Sequence, residues 1–451
     1  MKQAAPDRLR SAEALPRPRV GVILAAGRSE RLREVTGGGS KALVRLGGLR
    51  LVERSIRTLL RQGLDRVVVV VGYHAGPVAA VAQRVAPGRV QVVEAKGWEE
   101  GNAASLAAAE PGLSGEPCFL LVSVDHLFSE GALEDLVEAA RPAMLVDPDP
   151  AGSAVSEATK VRLAPSGDVA ALGKDLQARA ADCGAFLLPP AVFDAIRSRR
   201  DDPSLSAVVT ELAAAERVAA LPLRRGAWWQ DVDTPDDLRR AAVRLRRSLP
   251  RPTDGPVARL LNRRLSVPTS WQVVRFSVSP DVLSAISFLV GLAGAILLGL
   301  GQGVVGGILA QACSILDGVD GEVARLTLRA GPRGTLLDGY LDRLGDAALC
   351  AGLGVWALRS GGDPTVVILL VVAATTGAML SMATKDRVAA LGLEPPSERR
   401  IGWLLGGRDG RLFLIFVLSL LGLPLWALAS VSATSLLSSA LRVGFARNPP
   451  P

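Results

Sequence analysis

Apolar positions follow one rule before about Arg275 and another after it. In the first part apolar runs are short and separated by amphipathic stretches. "VGVIL" from Val20, "DRVVVVVG" from Asp65, "PCFLLVSVD" from Pro117 and "AMLVD" from Ala143 have the length and β-branched content of buried strands. Between them, "LRLVERSIRTLLRQG" and "SEGALEDLVEAARP" set apolar residues at helical spacing. Strand–helix alternation predicts an α/β domain with a mostly parallel sheet and helices on both faces. A helix start at Thr234–Pro235, an Arg-rich helix and a Pro stop at "SLPRP" end it.

After Arg275 the apolar runs lengthen to near the ~20 residues that a helix needs to cross a bilayer. They are expected at about 280–300, 303–324, 335–358, 363–386, 409–422 and 424–444. The fifth is short and Pro424 breaks the last pair, so five spans remain an alternative to six. Arg is concentrated before the first run, between the second and third, between the fourth and fifth, and after the sixth. "GLGQG", "RSGGDP" and "LGLP" on the alternate side carry almost none. The positive-inside rule then places both termini in the cytosol of a multi-pass plasma-membrane protein. "DGPVARLLNRRLSVPTSWQVVRFSVSP" reads as a basic amphipathic segment on the membrane surface. The expected division is a disordered tail at 1–18, a cytosolic domain at 19–248, a juxtamembrane linker at 249–279 and a membrane domain at 280–447.

Composition changes this picture little. The net charge is +8, and the mean hydropathy of +0.30 averages two unlike halves. Beside apolar spans a basic balance points to anionic lipid headgroups rather than nucleic acid. Cys118, Cys183, Cys313 and Cys350 are too scattered for a disulfide framework or a zinc site and read as reduced core residues. With two histidines in the chain, acid–base chemistry falls to carboxylates. Residues 1–18 lack the apolar core of a signal peptide, consistent with a cytosolic first half.

The chemistry is densest where it costs most. "LDGVDGEVARLTLRAGPRGTLLDGYLDRLGD" puts Asp317, Asp320, Glu322, Asp338, Asp342 and Asp346 between two apolar runs. Carboxylates near hydrocarbon are expensive and usually functional. Asp317 and Asp320 are one helical turn apart, with Gly321 and Ala324 on their face. Asp338 and Asp342 are one turn apart on the next helix, with Gly334 a turn earlier. Two helices can thus aim four mutually repelling carboxylates at one point, which calls for divalent cations; all-oxygen ligands suit Mg²⁺ or Mn²⁺. The pattern D-x2-D-G-x2-A-R-x8-G-x3-D-x3-D fixes eight positions. At roughly 1 in 15 each, a chance match at a given start is about one in a billion.

Those eight residues resemble the signature of the CDP-alcohol phosphotransferase family. The resemblance implies a six-helix membrane bundle that moves a phospho-alcohol from a CDP carrier to an acceptor hydroxyl and releases CMP. It implies that Asp317, Asp320 and Asp338 hold the metals, and that Asp342 ligates metal or takes the acceptor's proton. Gly321, Ala324, Arg325 and Gly334 would line the CDP site. Glu322 and Asp346 fall outside the signature and read as local ion pairs.

The first domain carries a second constellation. In "LAAGRSERL", backbone N–H groups after the strand, at Ala25, Ala26 and Gly27, can cradle a triphosphate, with Arg31 and Lys41 as neutralising cations. "VSVDH" sets Asp125 at the carboxyl end of a strand, and "DVDTPDDL" offers Asp231 and Asp233 as a second metal carboxylate. The ordered set resembles the sugar-phosphate nucleotidyltransferase family, a Rossmann-like fold, and that likeness favours Asp233, which precedes Thr234. "EVTGGG" before Lys41 departs from the family as an insertion. Further segments, among them "GWEEGNAASL", "LGKDLQARAADCGAFLLPP" and "DGPVARLLNRRLS", resemble the bifunctional family that joins inositol-1-phosphate cytidylyltransferase to di-myo-inositol-phosphate phosphate synthase. The resemblance implies CTP, CDP-inositol and inositol-1-phosphate as ligands. Gly101 and Asn102 would lie near the cytosine, and Lys160, Lys174 and Asp182 near the inositol phosphate. In the membrane half Lys385, Arg399, Arg400, Arg408 and Arg411 form a basic cluster that either binds the acceptor's phosphate or orients the helices. His126 and the Trp228–Trp229 pair read as packing residues. The glycines of "AGAILLGLGQG" suit close helix packing and a homodimer. A phospholipid as product, with a different CDP-alcohol from the first domain, is the alternative; a nucleotide sensor without catalysis is a third.

Overall fold

The computed structural model describes residues 14–150, 158–199, 204–393 and 402–446. It forms two compact units, Met1–Val243 and Arg244–Pro451, dividing within the helix Pro235–Arg247.

The first unit is built on a nine-stranded sheet. Val20–Ala25 lies at its centre, parallel to Arg66–Val71 on one side and to Phe119–Ser123 on the other; Val90–Glu94 extends the parallel part. Val20–Ala25 is buried at every position, which suits a strand covered on both faces. Beyond Phe119–Ser123 the pairing reverses. Ala180–Leu188 runs antiparallel to it, and Lys160–Leu163 and Val169–Gly173 form an antiparallel hairpin. The sheet is therefore mixed where a mostly parallel one was expected. The connection from Leu163 to Val169, with Gly167 at φ 83, is too short for the crossover a parallel pair requires. The chain is already bonded to this unit at Leu15, whose N–H donates to the Ala140 carbonyl at 2.7 Å. All four cysteines are free and buried.

In the second unit, α1 (Arg263–Val273) precedes α2 (Pro280–Gly299), α3 (Gly303–Leu326), α4 (Pro332–Arg359), α5 (Pro364–Ala390), α6 (Arg408–Leu420) and α7 (Pro424–Phe445). Four of these, α2, α3, α5 and α7, are long and apolar enough to cross a membrane. The first half of α4 carries the charges of the acidic stretch, and α6 has only 13 residues. Glycines let the helices approach. A Cβ on Gly306 of α3 would come within 2.9 Å of the Gly294 carbonyl of α2, and one on Gly352 of α4 within 2.2 Å of the Ala295 carbonyl. The small residues of "AGAILLGLGQG" are thus used for packing inside the unit. The juxtamembrane segment around α1 turns part of its polar side inward: Asn262, Ser266 and Ser270 are buried, while Leu260, Leu265 and Phe276 are exposed beside Arg259, Arg264 and Arg275. That orientation is the reverse of a water-soluble helix and suits apolar residues facing lipid.

Candidate active sites

In the first unit, strand register brings the constellation together. Leu24 pairs with Ser123, so the turn after Ala25 and the acid after Val124 emerge side by side at the carboxyl edge of the sheet. Ala25 and Ala26 are buried, whereas Gly27 faces open space in which a Cβ would meet nothing within 4 Å. The "EVTGGG" segment forms one helical turn, Arg33–Thr36, stopped by Gly37 and Gly38 at φ 59 and 86. Those are left-handed conformations that glycine adopts without strain. The Tyr73 hydroxyl pins the segment by donating to the Gly38 carbonyl at 2.6 Å.

The returning chain places Lys41 between two acids. Its Nζ pairs with Asp125 and, at 2.6 Å, with Asp233 Oδ1, so both carboxylates address one point. Arg31 Nη2 lies 3.1 Å from Asp233 Oδ2. Burial opposes the charge on Lys41, but the two acids outweigh it and raise its pKa. Burial likewise opposes the Asp125 carboxylate, and Lys41 and His126 overcome it, holding the acid far below its usual range. His126 Nδ1 is 2.9 Å from Asp125 Oδ1, and its ring stacks on Trp229 at 5.6 Å. Burial disfavours its charged form, yet Asp231, Asp125 and Asp182 raise it to about 9.

Asp231, less favoured by the family likeness, pairs with His126 across a two-stranded ribbon. Ligand atoms of Asp125, His126 and Asp231 lie within 4.8 Å of one another. Asp231 Oδ1 is buried without a hydrogen-bond donor among the described residues. A buried acceptor lacking a donor, beside a second acid, fits a cation. Burial raises Asp231 to about 6, helped by Asp125 and Asp233.

A cavity of about 290 Å³ opens over this edge, walled by Arg31, Asn102, Asp125, Lys174, Asp182 and Asp233 among others. Asp182 accepts the Gly184 N–H at 2.7 Å, and burial raises it to about 6. Gly101, at φ 125, turns the chain so that Asn102 reaches the wall. Lys160 lies apart from the lining, paired with Gly173 and Ala181 across the sheet.

In the second unit, α3 and α4 bring Asp317, Asp320 and Asp338 within 4.8 Å of one another. Asp342 is linked to Asp317 through their shared partner Arg408. The cluster is held from three directions. Ser284 on α2 donates to Asp320. Arg408 on α6, only 11% exposed, reaches Asp317 at 2.8 Å, Asp342 at 3.0 Å and Asp346 at 3.5 Å. Arg411 is fully buried and bonds Asp346 and the Gly406 carbonyl. Arg408 and Arg411, two of the proposed acceptor-phosphate residues, stand in the first turn of α6 and are paired with the acidic cluster. Lys385 is exposed on α5, and Arg399 and Arg400 fall outside the described residues.

Five carboxylates thus face two guanidinium groups in a low-dielectric setting, and further positive charge is needed. Their oxygens fit divalent cations by number and chemistry. Beside them is a cavity of about 350 Å³, walled by Gly321, Ala324 and Gly334 and by Arg251, Arg329 and Thr335. A Cβ on Gly334 would meet nothing within 4 Å. Arg325 packs against Gly321 and donates to the Leu249 carbonyl at 3.0 Å.

Glu322 and Asp346 are ion-paired as expected. Glu322 is fully buried and takes bonds from Arg263 at 2.8 Å and from Ser266 and Ser270 at 2.6 Å each. Arg251, Ser284 and Asp409 carried no motif, and Asn262 only sat within the quoted segment "DGPVARLLNRRLS"; their part in the site is visible only in three dimensions.

Residues 21–220 match the MobA-like NTP transferase domain family, and residues 277–392 match the CDP-alcohol phosphatidyltransferase family. The bifunctional IPC transferase and DIPP synthase of Rubrobacter xylanophilus is 36% identical over 421 residues, covering 91% of this chain and 92% of that protein. The protein of the same description from Aquifex aeolicus is 31% identical over 406 residues, covering 89% and 92%. A solved inositol-1-phosphate CTP transferase from T. maritima is 26% identical with a TM-score of 0.45, covering 49% of this chain and 92% of that one. With its paired carboxylate sites and full-length relatives, the chain belongs to the family of bifunctional IPC transferases and DIPP synthases.

Proposed function

We propose that the first unit makes CDP-inositol from CTP and inositol-1-phosphate, and that the second transfers phospho-inositol from CDP-inositol to another inositol phosphate. In the first step a phosphate oxygen of inositol-1-phosphate attacks the α-phosphorus of CTP, the α–β bridge breaks and pyrophosphate leaves. The turn at Ala25–Gly27 binds the triphosphate through backbone N–H groups, and Arg31 and Lys41 neutralise it. Asn102 orients the base, while Lys174 and Asp182 receive the inositol phosphate. In the second step a hydroxyl of the acceptor attacks the inositol-bearing phosphorus, and CMP departs with the bond electrons. Asp342 accepts the hydroxyl proton or joins the metal ligands, and Arg408 pairs with Asp317 and Asp342.

Asp125 with Asp233, or with Asp231 through its donor-less oxygen, in the first unit, and Asp317, Asp320 and Asp338 in the second, would hold Mg²⁺ or Mn²⁺. Bound there, the cation supplies charge neutralisation on the phosphates and a better leaving group. The observation that carries the reading is the wall of the second cavity. Among the described residues it is made of small and polar ones, with no long apolar side chain to receive an acyl tail. That favours two water-soluble substrates over a lipid. We place this site at the cytosolic rim of a six-span plasma-membrane domain, following the arginine asymmetry.

The direct test incubates the purified chain with CTP, Mg²⁺ and inositol-1-phosphate. Pyrophosphate and CDP-inositol should appear, followed by CMP and a phosphorylated di-inositol phosphodiester. Faster CMP release with a lipid alcohol as acceptor would favour phospholipid synthesis instead.

A further inference from the structure

Behind the acidic cluster lies a buried knot that neither motif includes. Asn262, just before α1, is 1% exposed. Its Nδ2 donates to Ser314 Oγ on α3 at 2.9 Å and to Asp409 Oδ1 on α6 at 2.8 Å. Its Oδ1 accepts from Gln311 Nε2 at 2.7 Å, and Ser314 Oγ donates to the same Asp409 oxygen at 2.8 Å. Asp409 Oδ1 thus accepts from both the Asn262 amide and the Ser314 hydroxyl. Asn262 also ends a π-helical segment, Ala258–Asn262, a local widening common at functional sites.

The position of the knot gives it a consequence. Ser314 is one turn before Asp317 on α3. Asp409 adjoins Arg408, whose guanidinium spans Asp317, Asp342 and Asp346. We propose that Asn262 is a positioning residue for phosphotransfer: by tying Ser314 to Asp409 it locks α3 to α6 and sets Arg408 against the carboxylates that hold the cation. The proposal rests on the phosphotransfer reading above. A neighbouring chain of contacts, in which Asp254 grips Arg263 and Arg263 bonds Glu322, fastens the same segment to α3.

The test is a double-mutant cycle on the full chain. N262D loses the donor and sets two acids face to face; D409N leaves two amides. The pair N262D/D409N restores a donor opposite an acceptor with the roles exchanged. Each single variant should lower kcat for CMP release from supplied CDP-inositol at least tenfold, with KM changed less than threefold. The double variant should return to within about fivefold of the parent. CDP-inositol synthesis from CTP, made by the other unit, should stay unchanged in all three and reports intact protein. A second reading needs no turnover. In the D125A background, direct Mn²⁺ titration by electron paramagnetic resonance should show each single variant binding at least threefold more weakly and the pair recovering. Singles with parental kcat and Mn²⁺ affinity would overturn the proposal, as would a pair as poor as the two losses combined. A parent that releases no CMP but shows this Mn²⁺ pattern would overturn the substrate reading and leave the positioning role supported.

Discussion

Asp125 and Asp338 stand for the two chemistries, and each should be separable from the other. Asp125→Ala removes a carboxylate that Lys41 and His126 both contact. Pyrophosphate release should fall about a hundredfold or more, while CMP release from supplied CDP-inositol stays near parental. Asp338→Ala should do the opposite. These magnitudes match what loss of one preorganised electrostatic group costs in a dry site. Arg408 shows how far a single residue's role escapes its local sequence. In "GGRDGR" it resembles an orientation charge at a helix start, yet it is ion-paired with three acids from two other helices. Arg408→Lys keeps the charge but replaces a planar fork with a point ammonium that cannot span three carboxylates. CMP release should drop at least tenfold in that variant, measured at saturating CDP-inositol.

At the scale of the element, two glycines on α4 make opposite predictions from the same substitution. Gly352 presses on the Ala295 carbonyl of α2, where a Cβ would come within 2.2 Å. Gly352→Ala should destabilise the unit by about 1–3 kcal/mol through overpacking, read as a lowered Tm in detergent. Gly334 has open space beside it and walls the cavity. Gly334→Ala should leave Tm unchanged or slightly higher, since alanine is the better helix former, while KM for CDP-inositol rises. α1 carries the other lesson at this scale. Its basic, amphipathic pattern was legible, but which face turns inward was not. Asn262, Ser266 and Ser270 point in because Asp409, Glu322 and Ser314 wait there, a complementarity between segments far apart in sequence.

For the whole molecule, the two proposed steps share an intermediate and, on this reading, a demand for cations. Chelation with EDTA should abolish both pyrophosphate and CMP release, and added Mg²⁺ or Mn²⁺ should restore both. A mixture of the D125A and D338A chains should rebuild the complete reaction, since CDP-inositol can diffuse between molecules. Its CMP should appear after a lag that the parent chain lacks, because joining the two activities raises the local concentration of the intermediate. Equal time courses for the mixture and the parent would show that the fusion confers no kinetic advantage.

What the sequence alone determined is local or periodic. Strand and helix lengths, the apolar runs, the eight-residue signature and the turn after Val20–Ala25 follow from spacing, and spacing is preserved when the chain folds. What only the tertiary structure decided depends on where distant segments meet. The sheet became mixed because a short hairpin connection excludes a parallel crossover. Asp231 joined Asp125 and His126 because a small antiparallel ribbon set it opposite His126. Arg408, Arg411 and Asn262 joined the acidic cluster because buried carboxylates need partners, and those nearest in space lie 65 to 147 residues away in the chain.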